Sequence, residues 1–172
     1  MALLPIIDAP DPRLKVKSKP VVEFDDGLRR LLDDMLETMY DAPGIGLSAI
    51  QVGVAKRAIV IDVHGEDEDP NPLYLMNPEI VVLSDEMATF NEGCLSLPEQ
   101  FTEIERPAAV TVRYMDRDGK RQELTADGLL GRCIQHEMDH LEGILFVDHL
   151  SAVKRNIILR KLIKARKQKA SA

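Results

Sequence analysis

The sequence predicts an α+β fold: short, mainly antiparallel strands packed around a central helix, with further helices near the N- and C-terminal ends. Three observations lead there. Leucine and methionine recur at helical spacing through 26–40. From Arg57 to Thr125 the chain divides into short β-branched runs separated by turn residues. A second helical pattern follows, and at its centre stands Gln135-His136-Glu137-Met138-Asp139-His140.

In chain order, Pro5, Pro10, Pro12 and Pro20 keep the opening segment extended, with a short helical turn started by Asp11-Pro12-Arg13-Leu14. Asp25 or Asp26 caps a helix running to about Tyr40, whose Leu28, Leu31, Leu32, Met35, Leu36 and Met39 face a core. The stretch 41–47 breaks that helix. Gly44 and Gly46, around Ile45, suit a backbone that must come close to something. A phosphate loop would need a third glycine or a Gly-Lys-Ser/Thr ending, and neither is present.

Strands are expected at 58–63, 79–83, 87–92, 102–105, 110–115 and 121–125. The segment 64–72 reads as an acidic surface loop with His64 solvated, and Asp116-Arg117-Asp118-Gly119 as a hairpin turn. Asp127 and Gly143 bound the motif helix as N-cap and C′ residues. Leu129, Cys133, His136 and His140 fall on one stripe of it, and Leu130, Ile134, Glu137 and Leu141 on the next, so this helix is central and mostly buried. A last helix from about Ser151 puts Val153, Ile157, Ile158, Leu162 and Ile163 on one side and basic residues on the other, and frays over 165–172. With no repeat or linker, the expectation is one catalytic domain over 1–172, with 150–172 as a basic amphipathic helix and tail.

The bulk properties narrow the function. A chain of 172 residues, 45% hydrophobic and 30% charged, buries a core without disulfides and is not a disordered segment. Its formal net charge of −7 disfavours DNA or other non-specific nucleic-acid binding by the body of the protein. The basic run from Lys154 to Lys169 is the exception. No apolar run reaches the roughly 20 residues of a membrane helix. The opening residues lack a basic stretch before their apolar ones, so a signal peptide is not expected and a reducing cytoplasm is. In that compartment Cys94 and Cys133 are core filler or ligands rather than a disulfide.

His136 and His140, four apart, sit one helical turn from each other and aim two imidazoles at one point, with Glu137 beside it to handle the proton of a water. The bland alternative is a pair of core histidines, each bonded to backbone. Downstream third ligands are poor: Glu142 is too close and His149 follows an apolar stretch. Upstream, Cys94 in Glu92-Gly93-Cys94-Leu95-Ser96-Leu97-Pro98 completes a Cys/His/His set with a fourth position open.

Three segments, Gly44-Ile45-Gly46-Leu47-Ser48-Ala49-Ile50-Gln51, Glu92 to Pro98, and Gln135 to Leu141, resemble in order and separation the three signature motifs of bacterial-type, iron-dependent peptide deformylases. The likeness extends over 10–14 and from 106 to 119; the loop 64–72 and the basic tail lie outside it. The resemblance implies removal of the N-formyl group from the initiator methionine of nascent polypeptides. Cys94, His136 and His140 would bind one divalent metal, ferrous iron natively, with Ni2+, Co2+ or Zn2+ as substitutes. Glu137 would be the acid–base, with the Gln51 side chain and the Leu95 backbone N–H as oxyanion donors. Ile45 and Gly46 would dock the peptide as an added strand, and Ile45, Leu129 and Cys133 would wall the methionine pocket. Cys133 lies a turn before His136 on the same helix and is read as wall rather than ligand. Glu92 and Arg106 match a charged pair that braces the metal loop, a surface arginine being the alternative.

Some positions depart from the family's commonest pattern. Ser48 stands where alanine is usual and is expected to add only a local backbone hydrogen bond. Arg132 and Phe101 alter the pocket rim. The partners implied are N-formyl-methionyl peptides and, through the basic C-terminal helix, ribosomal RNA; a solvated helix is the alternative there. The competing functions are a general His-Glu-x-x-His zinc peptidase and a metal-stabilised binding module.

Overall fold

A computed structural model describes residues 2–171; Met1 and Ala172, the ends of the predicted domain, lie outside it. After a 3-10 turn at Pro12–Lys15, helix α1 spans Asp26–Asp41. Its N-cap is Asp25, whose carboxylate accepts from Leu28 N at 2.9 Å and satisfies one orphan donor of the first turn. Strands β1 (Gly46–Ser48), β2 (Ala58–Ile61), β3 (Leu73–Leu83), β6 (Ala109–Met115) and β7 (Arg121–Asp127) form an antiparallel sheet in the order β1-β2-β3-β6-β7. Strands β4 (Met87–Cys94) and β5 (Leu97–Pro107) pair separately. Helix α2 is Gly128–Leu141, and α3 is Ala152–Ala170 after a 3-10 turn at Phe146–His149.

The sheet lies between α1 and α2, and β2 shows why. Successive side chains on a strand point to opposite faces. Ala58 and Val60 pack with Leu28, Leu32, Met35 and Met39 of α1. Ile59 and Ile61 pack with Cys133, Ile134 and Leu141 of α2 and with Val110 and Val112. A strand covered on both faces reads as a continuous apolar run, as this one does. Each buried aliphatic side chain contributes about 1.5–3 kcal/mol. A third cluster, including Ile7, Leu14, Leu97, Ile104, Phe146 and Leu162, ties the N-terminal segment, β5 and α3 together.

The hairpin at Asp116 to Gly119 forms as expected: Gly119 has φ +81°, and Asp116 Oδ1 accepts from Asp118 N and Lys120 N. His64 is exposed, as read, but its ring is held 2.8 Å from Asp62. Two strands run longer than expected. β3 passes through Asn77-Pro78 at a register shift, where Asn77 has φ +51° and its side chain binds the backbone of Val21 on both sides. β5 tolerates Pro98 because a two-stranded sheet leaves free edges.

Helix α3 departs most from expectation. Leu162 is buried and Ile158 and Leu159 are half-buried, whereas Val153, Ile157 and Ile163 are exposed. At about 100° per residue the first three share one narrow face, and the others point away from it. The helix is therefore basic around most of its surface rather than cleanly two-faced. It is helical to Ala170, through the stretch 165–170.

Candidate metal centre and active site

Helix α2 presents His136 and His140 one turn apart, their rings 5.1 Å between centroids. The Cys94 thiol arrives from the end of β4, where a register shift between Gly93 and Cys94 turns the strand and sets Cys94 opposite Leu97. The ligand atoms of Cys94, His136 and His140 all lie within 4.8 Å of one another. Cys94 Sγ is 3.4 Å from His140 Nε2. A thiolate and an imidazole sharing one tetrahedral ion lie about 3.5 Å apart, so the spacing fits a metal. The donor set fits too: a soft thiolate with two imidazoles suits a late divalent ion, and three protein ligands leave one position for chemistry.

Electrostatics agree. Burial alone would push His136 down, yet Cys94 and Glu92 pull it well above the usual histidine value, which marks a site short of positive charge. Burial, with His136 and Arg106 nearby, holds His140 well below its usual value and so neutral, the form a metal requires. Burial also lifts the Cys133 thiol well above its ordinary range, so that side chain stays protonated. Glu137 is pushed by burial up to about 7, against the opposing pull of His136 and the Ser48 hydroxyl. A carboxyl near neutrality both takes and returns a proton.

Glu92 organises the surroundings. It accepts from Arg106 Nε at 2.7 Å and Nη2 at 3.0 Å, and its Oε1 lies 2.9 Å from His136 Nδ1. Arg106 is 4% exposed, so the surface-arginine reading is overturned by its burial. Arg106 also reaches Asp139 at 2.8 Å, and Asp139 lies 2.8 Å from His149. Arg132 is no mere rim residue. It is buried, pairs with Glu92, donates to the carbonyls of Ile104 and Ala88, and stacks its guanidinium 4.5 Å over the Phe90 ring. Its spacing of four before His136 was the available signal.

A cavity of about 660 Å³ opens onto the metal ligands. Ile45, Gly46, Leu95, Leu129 and Cys133 line it, with Phe101 on its exposed rim. Gly46 is needed for its lack of a side chain: a Cβ there would stand 2.7 Å from Cys133 Sγ and 3.0 Å from the Glu137 carboxylate. Gln51 approaches from the 3-10 turn Ala49–Val52, its Nε2 3.5 Å from Cys94 Sγ and 2.9 Å from Ser96 Oγ. Thus every site residue singled out in the sequence borders one region. Ser96 was missed because its partner Gln51 is distant in sequence and no spacing announces the pair. Ser48 does more than expected: besides its capping-box contact with the Gln51 backbone, its hydroxyl lies 3.1 Å from the Gln51 side-chain oxygen.

The chain matches the polypeptide deformylase family model over residues 3–156. It is 56% identical to a peptide deformylase of Zymomonas mobilis, over 97% of each chain, and 53% identical to one of Agrobacterium fabrum, over 98% of this chain and 99% of that one. Among solved structures it is similar to a peptide deformylase from Legionella pneumophila, with a TM-score of 0.92 and 45% identity over 99% of each chain. The peptide deformylase of Ehrlichia chaffeensis in complex with actinonin aligns with a TM-score of 0.92 at 43% identity, over 96% of this chain and 98% of that one. Nothing in these matches supports the general peptidase. The chain belongs to the polypeptide deformylase family.

Proposed function

We propose that the chain hydrolyses the formyl amide of N-formyl-methionyl nascent polypeptides and releases formate, with Cys94, His136 and His140 holding one ferrous ion. The observation that carries this reading is the convergence of those three ligands, with Glu137 and Gln51, at the cavity lined by Ile45, Leu129 and Cys133.

A divalent ion in this donor set acts as a Lewis acid and brings the pKa of water toward neutrality. Glu137, lifted by burial, takes the proton of the attacking water and returns it to the leaving amine. Gln51 Nε2 and the Leu95 backbone N–H stand as donors for the oxyanion that develops on the formyl oxygen. Strand β1 is an edge of its sheet, so an extended peptide adds alongside Ile45 and Gly46. The flexible methionine side chain fills the apolar end of the cavity.

Ferrous iron rests on the family resemblance; the donor set itself also accepts Zn2+, Co2+ and Ni2+. Two free cysteines agree with a reducing bacterial cytoplasm. No helix of the described residues is long and apolar enough to cross a membrane. Helix α3 contains eleven non-basic residues but no acid, and Lys154, Arg155, Arg160, Lys161, Lys164, Arg166, Lys167 and Lys169 make it a surface for ribosomal RNA phosphate.

Formate release from formyl-Met-Ala-Ser by protein loaded anaerobically with ferrous iron tests the reading. Formate with the peptide otherwise intact is expected. Peptide fragments without formate would indicate a peptidase, and no product from metal-replete protein a binding module.

A further inference from the structure

A primary carboxamide has two oxygen lone pairs and two N–H bonds to satisfy, and a buried one is costly when they are not. Gln51 is 1% exposed. Its oxygen accepts from the Ser48 backbone N–H at 3.0 Å and from the Ser48 hydroxyl at 3.1 Å. Its nitrogen donates to Ser96 Oγ at 2.9 Å and lies 3.5 Å from Cys94 Sγ. Ser48 and Ser96 are themselves fully buried, so water does not substitute for either.

The Ser48 backbone N–H is an obligate donor, which settles which end of the amide is oxygen. The hydroxyl adds what the backbone lacks. The last torsion of a glutamine side chain has a broad, roughly two-fold preference, and one hydrogen bond leaves it room to rock. A second donor on the same oxygen closes that freedom and polarises the amide, strengthening its N–H groups.

We propose that Ser48 is a positioning residue, whose hydroxyl locks the Gln51 carboxamide so that one N–H is held by Ser96 and the other is delivered to the Cys94 side, where the oxyanion forms. This rests on the reading of Gln51 as an oxyanion donor. Ser48 acts through Gln51 and does not reach the substrate. The hydroxyl has a single proton, for which the Glu137 carboxylate competes with the Gln51 oxygen, so an effect routed through the base has to be told apart.

A double-mutant cycle on the metal-loaded enzyme does this. Ser48→Ala should lower kcat for formyl-Met-Ala-Ser by about three- to tenfold, the worth of one hydrogen bond, with KM within about twofold. Gln51→Ala should cost about a hundredfold. In the Gln51→Ala background, adding Ser48→Ala should change nothing further. Losses that multiply in the double variant, as a route through Glu137 or general loosening requires, would overturn the proposal, as would an unchanged kcat in Ser48→Ala. Full activity in Gln51→Ala would overturn the oxyanion reading instead, and the proposal with it. In the zinc-loaded protein, the Gln51 side-chain N–H resonances should shift and exchange faster with water in Ser48→Ala; unaltered resonances would count against the lock.

Discussion

Oε1 of Glu92 lies 2.9 Å from Nδ1 of His136, so a carboxylate at the end of β4 orients an imidazole on α2 and leaves its Nε2 for the metal. Arg106 and Arg132 hold the same carboxylate. Replacing Glu92 by glutamine keeps the shape and removes the charge between two arginines. Metal affinity should fall by about 10- to 100-fold, and stability by about 3 kcal/mol or more. Competition with a chelator and denaturant unfolding measure the two losses.

That carboxylate also sets a pH dependence. Burial alone would raise its pKa, but hydrogen bonds from His136 and Arg106 outweigh burial and hold it at about 2, below the ordinary 4.5. A folded-state pKa below the unfolded one gives stability that is complete above the unfolded value and is lost as pH falls through the folded one. Asp139, lowered against its own burial by His149 and Arg106, acts in the same direction. Unfolding free energy should therefore decline as pH drops from about 4.5 toward 2. Glu92→Gln should flatten that slope in denaturant titrations at stepped pH.

Among the described residues, the buried Oε2 of Glu137 has no hydrogen-bond partner, and Glu137 stands next to the ligands without being one of them. Glu137→Gln should keep its metal, by mass spectrometry, and lose about 100- to 10,000-fold in kcat. A variant that turned over normally would remove Glu137 from the assigned role.

Gly46 faces both Cys133 and Glu137 across a gap that leaves no space for a methyl group. Gly46→Ala should destabilise by about 1–3 kcal/mol through overpacking. It should also depress turnover by displacing the Glu137 carboxylate. Paired melting and formate assays would show both.

Helix α3 is mostly exposed, so its basic residues other than Arg155, which pairs with Asp148, face solvent where phosphate could meet them. Co-sedimentation with ribosomes should weaken steeply with salt and disappear on removal of the residues after Lys154. Binding that survives the truncation would leave α3 a solvated helix.

Much of this was legible in the sequence because the chemistry uses local spacing. The turn between His136 and His140 is a property of any α-helix, and α1 declares itself by Leu28, Leu32, Met35 and Met39. What was not legible depends on contacts distant in sequence. β1 has three residues, all buried, and so shows no alternation to read. Pro78 and Pro98 disguised the true lengths of β3 and β5. Arg132 reads as a rim residue in the sequence because its partner Glu92 lies 40 positions earlier. The exposed Val153, Ile157 and Ile163 lie off the face of Ile158 and the buried Leu162, which the list of apolar residues alone does not show.

Dependence of deformylation on an ion that Cys94, His136 and His140 hold together is the proposed basis of the activity. It is tested most directly by measuring bound metal and formate release on the same anaerobic preparations of the wild-type chain and of Cys94→Ala, His136→Ala and His140→Ala. One ion per chain and rapid formate release are predicted for the wild type, with both lost together in each variant. A variant that released formate at the wild-type rate without its metal would show that these side chains hold no ion the reaction needs.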